Sequence, residues 1–399
     1  MRKPAAWALL IPLVVTLVGA PSVTAGTASH ARNGNSSGWV RVTEKRSHSD
    51  RRNDRDRGTN AFGWRLALPS IVRQTKRSRV SATGNDRHTN RRPQPTRWFA
   101  DSSPLNTPIS GDAQVDPASA SMVAALQADA NRQGWTVGVK YYSPTVWYAD
   151  ASTPRYDVRL TASWRPAETM YGVPIPPNAK PDNTSDGEMA VIDTSTGCFY
   201  EFYAAERTAN GGWQANWANR GSMTGSGIQA GGYSTRDTGF VNHAGLIRAD
   251  ELQAGVIDHA LAFSTIYTRP NGVVQPATAG GGTYTGLLPP GARTLPEGAR
   301  VQLDPALDLD TLHLDTWQKA IARALQVYGM YLVDSGSLGL YAVNANSYPS
   351  NPYTPFWGDT SYAQLPTSLV SHLRVLKLGP QYDANALAYL APSPCAAMR

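Results

Sequence analysis

"DGEMAVIDTSTGCFYEFYAAE", running from Asp186 to Glu206, decides the fold class. Two short apolar and aromatic runs flank Thr194-Ser195-Thr196-Gly197, a cluster of turn formers. The stretch therefore reads as a β-hairpin, with strands over Glu188–Asp193 and Cys198–Ala204. If Asp193 faces Cys198 across the turn, then Ala190 faces Glu201 and Glu188 faces Tyr203. Glu188 and Glu201 then lie diagonally on one face, roughly 5 to 8 Å apart, with Tyr203 and Phe199 beside them. That separation falls in the range of a two-carboxylate glycosidase. A slip of one residue undoes it. Asp193 reads as a turn residue bonding back to loop amides.

The same punctuation recurs along the body of the chain. "WTVGVKYYS", "TVWYAD", "YDVRLTASW", "GWQANWA", "VIDHALAFSTIY", "ARVQLD", "GMYLVD" and "LGLYAVNA" are β-branched or aromatic and bounded by turn residues. Helical periods are few. "DPASASMVAALQADANRQG" predicts a helix capped at Asp116 and stopped at Gly134, and "LDTWQKAIARALQVYG" a second one capped at Asp315. A third short helix is expected over Pro366 to Leu376. The expected fold is mainly β, a β-sandwich or jelly-roll-like domain with a few short helices.

No P-loop, dinucleotide fingerprint, HExxH motif or GxSxG elbow is present. No Cys/His cluster has metal-ligand spacing. Carboxylates, histidines and tyrosines remain as candidate catalytic groups. Glu201, Glu188, Asp186 and Asp334 are the carboxylate candidates. His259 follows Ile257 on an alternating segment that continues to Leu261 and Phe263, which suits a core histidine or a general acid or base in a concave floor. His243 lies in a loop, where function concentrates. Trp213 and Trp217, in a Gly/Asn-rich stretch, suit stacking on sugar rings or plugging the end of a sandwich. "QLDPALDLDTLHLD" gathers acidic residues, and Asp308 and Asp310 could bind a structural Ca²⁺, although turn and cap duties also explain such aspartates.

The ends of the chain differ from its middle. Met1 to roughly Ala25 has the charged start, short apolar run and small-residue site of a secretory signal peptide. Export suits a bridge between the only two cysteines, Cys198 and Cys395; two unpaired thiols are the alternative. Residues 26–97 hold 17 Lys+Arg against 5 Asp+Glu, whereas residues 98–399 hold 18 against 25. The basic character thus belongs to an Arg-rich leader or pro-segment, expected to be disordered because it offers too little apolar surface to fold. Such a leader can hold an anionic cell-wall polymer or serve as an inert linker. The acidic body excludes a reading of the whole chain as a nucleic-acid binder. No stretch is apolar for long enough to suggest a membrane span.

"SPLNTPISGDAQVDPASASMV", "VPIPPNAKPD", the hairpin, "AGLIRADELQAGVIDHALAFS", "LPEGARVQLDP" and "ARALQVYGMYLVDSGS" follow one another across residues 98–399. In order and wording they resemble a family of secreted bacterial proteins common in actinobacteria. The resemblance carries no activity with it. It implies that Asp186, Glu201, Glu251, His259, Arg300 and Asp334 occupy motif positions. A histidine often stands in that family where this chain has Glu188, which keeps a histidine-assisted mechanism open.

The expected function is hydrolysis of an extracellular polysaccharide by a secreted or cell-wall-associated enzyme. Glu201 would be the principal carboxylate, Glu188, Asp186 or Asp334 its partner, and His259 or His243 an assistant. Trp213, Trp217, Tyr203 and Arg300 would bind substrate. A polysaccharide lyase with a His259 or Tyr203 base, and Arg300 or Arg248 neutralising a uronate, is one alternative. A non-catalytic glycan-binding surface protein is the other.

Overall fold

A computed structural model describes residues 97–164, 167–231, 233–383 and Cys395. The signal-peptide and leader expectations fall outside the described residues.

The first elements among the described residues are α1 (Ser119–Gln133), β1 (Trp135–Gly138), β2 (Thr145–Ala149), β3 (Arg155–Leu160) and β4 (Glu168–Pro174). The hairpin follows as β5 (Met189–Asp193) and β6 (Cys198–Tyr203), then β7 (Glu206–Arg207), β8 (Trp213–Ala215) and β9 (Trp217–Ser222). Next come α2 (Ala249–Ala254), β10 (Leu261–Thr265), β11 (Val273–Val274), β12 (Arg300–Leu303) and α3 (Thr316–Val327). The last elements among the described residues are β13 (Met330–Ser335), β14 (Gly339–Tyr341), α4 (Thr354–Trp357), β15 (Tyr362–Leu365), β16 (Leu373–Val375) and β17 (Gln381–Tyr382). The fold is mainly β with few short helices, as the sequence predicts.

The sheets form successive layers. The order β15-β1-β14-β10-β13-β12-β16 makes a seven-stranded sheet, β2-β5-β6-β9 and β4-β3-β8-β7 make two of four strands, and β11 pairs with β17. Parallel pairs join β1 to β14, β10 to β13, β2 to β5 and β3 to β8. Parallel neighbours need long crossovers, and the one from β10 to β13 runs through β11, β12 and α3.

Alternation along the strands assigns the layers. Val137, Phe263, Leu332 and Leu340 face Met122 and Leu126 of α1 and Ile321 and Leu325 of α3. Ala262, Tyr331 and Val333 look the other way, onto Val146, Ala190, Ile192 and Phe199 of the hairpin sheet. The far face of that sheet, with Trp147, Val191, Tyr200 and Phe202, packs on Val158, Leu160, Val173 and Trp213. Hence the hairpin is covered on both faces, and every residue of β5 is buried.

The two long helices start and stop for local reasons. Asp116 accepts the Ala118 N–H at 2.8 Å, and Gly134 ends α1 with φ of 85°. Asp315 and Gln318 form a capping box on α3. The helix expected at Pro366–Leu376 is instead a 3₁₀ turn, Thr367–His372, running into β16. Leu373 to Val375 gains more by pairing with β12 than a short isolated helix could retain. "GWQANWA" divides at Asn216 into β8 and β9, which enter different sheets. Among the described residues no helix is long and apolar enough to cross a membrane.

The two cysteines are bridged, Cys198 to Cys395, across 197 residues. The bridge lies in the layer between the two four-stranded sheets.

Candidate active site

The hairpin adopts the expected register. Asp193 pairs with Cys198 and Ala190 with Glu201. Gly197 turns the chain with φ of 69°, and its N–H donates to the Asp193 carbonyl at 2.8 Å. Asp193 Oδ1 accepts from the Ser195 N–H at 3.0 Å, the turn duty predicted for it. Beyond β5 the pairing continues, with the Ala204 and Ala205 N–H groups donating to the carbonyls of Asp186 and Gly187. Alternation puts Glu188 and Glu201 on the face of Ala190, toward the seven-stranded sheet.

The two glutamates have different surroundings. Glu201 has no exposed surface. Its carboxyl accepts from the Asn242 N–H at 2.6 Å, the Thr235 N–H at 3.3 Å and the Thr235 hydroxyl at 3.1 Å. Burial pushes it up to about 7 against the pull of those three donors. This corrects the choice of Glu201 as principal carboxylate. It is enclosed and occupied, and it ties the 235 and 242 segments to the hairpin. Glu188, at 9 % exposure, stands at the edge of the layer. Burial pushes it up to about 8; Arg236 opposes the rise, while Asp334, Asp182 and Asp186 reinforce it.

Asp334 reaches the same place through a β-bulge. Phe263 pairs with Leu332 but Ser264 pairs with Asp334, so Val333 is the extra residue. In a regular strand Asp334 would follow Leu332 toward the helices. The bulge re-aims it between the sheets. Burial raises it to about 6, helped by Asp237 and opposed by Arg236. Asp186, half-buried, is raised to about 6 by burial and by the charges of Asp334 and Asp182. Burial raises Tyr203, and the charges of Asp186, Glu188 and Asp334 add to the rise. Three of the predicted carboxylates and Tyr203 thus meet in one place.

The sequence reading missed the centre of this group. Arg236, in the loop between β9 and α2, is 4 % exposed. Its guanidinium lies 5.1 Å over the Tyr341 ring, and among the described residues none of its side-chain nitrogens has a hydrogen-bond partner. The Thr238 hydroxyl donates to the Val333 carbonyl at 3.0 Å, which holds this loop on β13 beside the bulge. Asp237 and Glu297 are both raised by burial; Asp237 and Asp334 add to the rise at Glu297. A charged pair inside a Gly/Thr-rich loop was the available signal, but nothing local says which strand end such a loop covers.

The other candidates lie elsewhere. His259 Nε2 sits 3.0 Å from Glu251 Oε1, and its Nδ1 is 2.9 Å from the Ala260 carbonyl. Glu251 also takes Arg248 Nη2 at 2.7 Å and closes the capping box of α2. This buried trio, with Arg248 4.8 Å over Trp98, fastens α2 to the start of the described chain. His243 has no exposed surface and is packed by the rings of Trp98, Phe99 and Phe199 at 5.6, 5.2 and 4.8 Å. Among the described residues neither ring nitrogen has a hydrogen-bond partner, and burial pushes it down to about 3. Arg300 donates to the carbonyls of Tyr328 and Thr107 and covers the Tyr331 ring. Trp213 and Trp217 are core residues, 4 % and 9 % exposed, because period-two alternation turns them between the two small sheets. They are not platforms. Asp308 caps a 3₁₀ turn through the Asp310 N–H, and Asp310 pairs with Lys319.

Beside the carboxylates opens a cleft of about 670 Å³. Asp182 lines it, and the charge of Asp182 acts on both Asp186 and Glu188. The cleft and the acidic group therefore adjoin.

No family model matches the chain, and neither a curated protein nor a solved structure matches it.

Proposed function

We propose that the protein is a hydrolase that cleaves an extracellular polysaccharide by carboxyl general acid–base chemistry, with Glu188 as the acid. The observation that carries this reading is the contrast between neighbouring carboxyls. Glu188 is raised to about 8 and Asp334 to about 6, both within the field of the buried Arg236 guanidinium, and Asp186 beside them is raised to about 6. Between those values Glu188 is protonated and its neighbours are ionised. Carboxyls whose environments push their acidities apart divide into acid and base. Glu188 then donates its proton to the leaving oxygen, and Asp334 takes one from the attacking water. Asp186 is the alternative base. Arg236 balances the charge that remains, and Glu201 holds the Arg236 loop in place.

A lyase is the second reading, favoured by the Arg236 guanidinium, which has no hydrogen-bond partner among the described residues and suits a uronate carboxylate. It needs a base. Tyr203 and Tyr341 are raised by burial and by the surrounding carboxylates, which removes them from that task at neutral pH. The acidic group also repels a uronate. Export, and a basic leader holding anionic wall polymer, remain part of the proposal.

The test is to incubate the secreted protein with neutral and acidic polysaccharides, following reducing ends and the ultraviolet absorbance of unsaturated uronates. New reducing ends without that absorbance support the hydrolase. Both signals together support the lyase. Neither signal refutes both readings.

A further inference from the structure

Two exposed tyrosines stand next in the chain to a residue that lines the cleft. Lys140 lines the cleft and is followed by Tyr141 and Tyr142, each 40 % exposed. The Tyr141 ring lies 6.4 Å from that of Tyr362, and the Tyr362 hydroxyl feels the charge of Asp182 on the cleft wall. Tyr142 takes φ of 51°, a left-handed conformation that is costly for a bulky side chain. The loop is held in that shape from below. Buried Asn344 donates to the carbonyls of Lys140 and Ser143, both at 3.0 Å, and the Val139 N–H donates to the Ser361 carbonyl. Two large rings are thus fixed at the surface instead of folding into the nearby core.

The walls of the cleft are polar and balanced in charge. Lys140 pairs with Asp359 at 2.5 Å, and Lys180 stands with Asp182. Asn183 and Asn346 add amide groups, and the Asn351 amide braces the wall by donating to Asp359 at 3.1 Å. Amides and balanced charges bind a neutral ligand dense in hydroxyls, because each hydroxyl both donates and accepts. A flat ring suits the apolar C–H face of a pyranose.

We propose that this cleft is a saccharide subsite in which Tyr141 stacks on one pyranose ring of a neutral glycan, while Asn183 and Asn346 hold its hydroxyls. The proposal rests on the hydrolase reading only in supposing that the glycan continues past Asp182 to Glu188. Rings pre-fixed by Asn344 lose little freedom on binding, which favours affinity.

Calorimetric titration of the full chain with cellohexaose, xylohexaose, mannohexaose and chitohexaose tests it. At least one is expected to bind. Tyr141→Ala should weaken that binding about tenfold. Tyr141→Phe, which keeps the ring, should bind as the wild type does, and so should Tyr171→Ala on the exposed edge of β4. Equal affinity in Tyr141→Ala and wild type overturns the subsite, as does failure of all four glycans to bind. Binding without cleavage would refute the hydrolase and leave the subsite standing. Cleavage with an unaffected Tyr141→Ala would do the reverse.

Discussion

The guanidinium of Arg236 lies 5.1 Å over the ring of Tyr341, and its side-chain nitrogens make no hydrogen bond among the described residues. A buried cation so placed is held by the field of the carboxylates around it. It lowers Glu188, Glu201 and Asp334 against the larger upward push of burial. Replacing it with an uncharged side chain of similar length, Arg236→Met, removes that restraint. The limbs of the pH–activity profile should both move upward, by on the order of one pH unit. Activity at neutral pH should fall, because Asp334 is then less ionised. A profile unchanged in position would separate Arg236 from the carboxylates.

The raised carboxyls also set how stability varies with pH. Their folded acidities lie above the unfolded values, so the folded state binds more protons. Stability is fully present below the unfolded values and is lost as pH rises through the folded ones. For Glu188 that window runs from 4.5 to about 8. His243 acts oppositely, since burial depresses it from 6.5 to about 3 and stability falls as pH falls through that interval. The melting temperature should therefore peak in mildly acidic solution. Glu188→Gln should flatten the alkaline limb, with a gain of roughly 3–5 kcal/mol at high pH. His243→Leu should flatten the acid limb. Thermal melts across the pH range read both effects, and parallel curves for the three proteins would contradict them.

Glu201→Gln should behave unlike Glu188→Gln. An amide cannot accept from Asn242 and Thr235 on both of its arms, so one buried donor loses its partner. The expected cost is about 1–3 kcal/mol of stability, seen in urea unfolding. Activity should fall only as far as the Arg236 loop loosens. Full stability in Glu201→Gln together with abolished activity would return the principal role to Glu201.

The bridge between Cys198 and Cys395 closes a loop spanning 197 residues. Loop-closure entropy assigns it about 5 kcal/mol. Reductant, or Cys395→Ser, should lower the denaturation midpoint accordingly. Since the bridge packs on the side of the hairpin sheet away from Glu188, the activity of molecules still folded should be unchanged. A midpoint insensitive to reductant would contradict the assignment.

What was legible in the sequence was local. Thr194 to Gly197 set the turn, and the turn set the register that puts Ala190 opposite Glu201. Asp116 and Asp315 marked two helix starts within two residues. The surroundings of each glutamate were not legible. Glu188 and Glu201 share a face and look equivalent in the hairpin, yet Thr235 and Asn242 enclose one and leave the other at the edge. Those residues arrive from a loop more than thirty residues beyond the hairpin. Asp334 owes its direction to a bulge at Val333, for which no glycine or proline gives warning. Trp213 and Trp217 were ambiguous because a Gly/Asn-rich loop and a strand start look alike until pairing partners are known. The exposed tyrosines went unremarked because Tyr141 and Tyr142 stand at the end of a plausible strand.

The most direct test compares kcat/KM across the pH range for the wild type and Glu188→Gln, on whichever polysaccharide releases reducing ends. The account predicts a bell for the wild type, with limbs near pH 6 and 8 set by Asp334 or Asp186 and by Glu188. Glu188→Gln should lose at least about 100-fold while remaining folded. A folded Glu188→Gln protein that keeps the wild-type rate and the wild-type alkaline limb would contradict it.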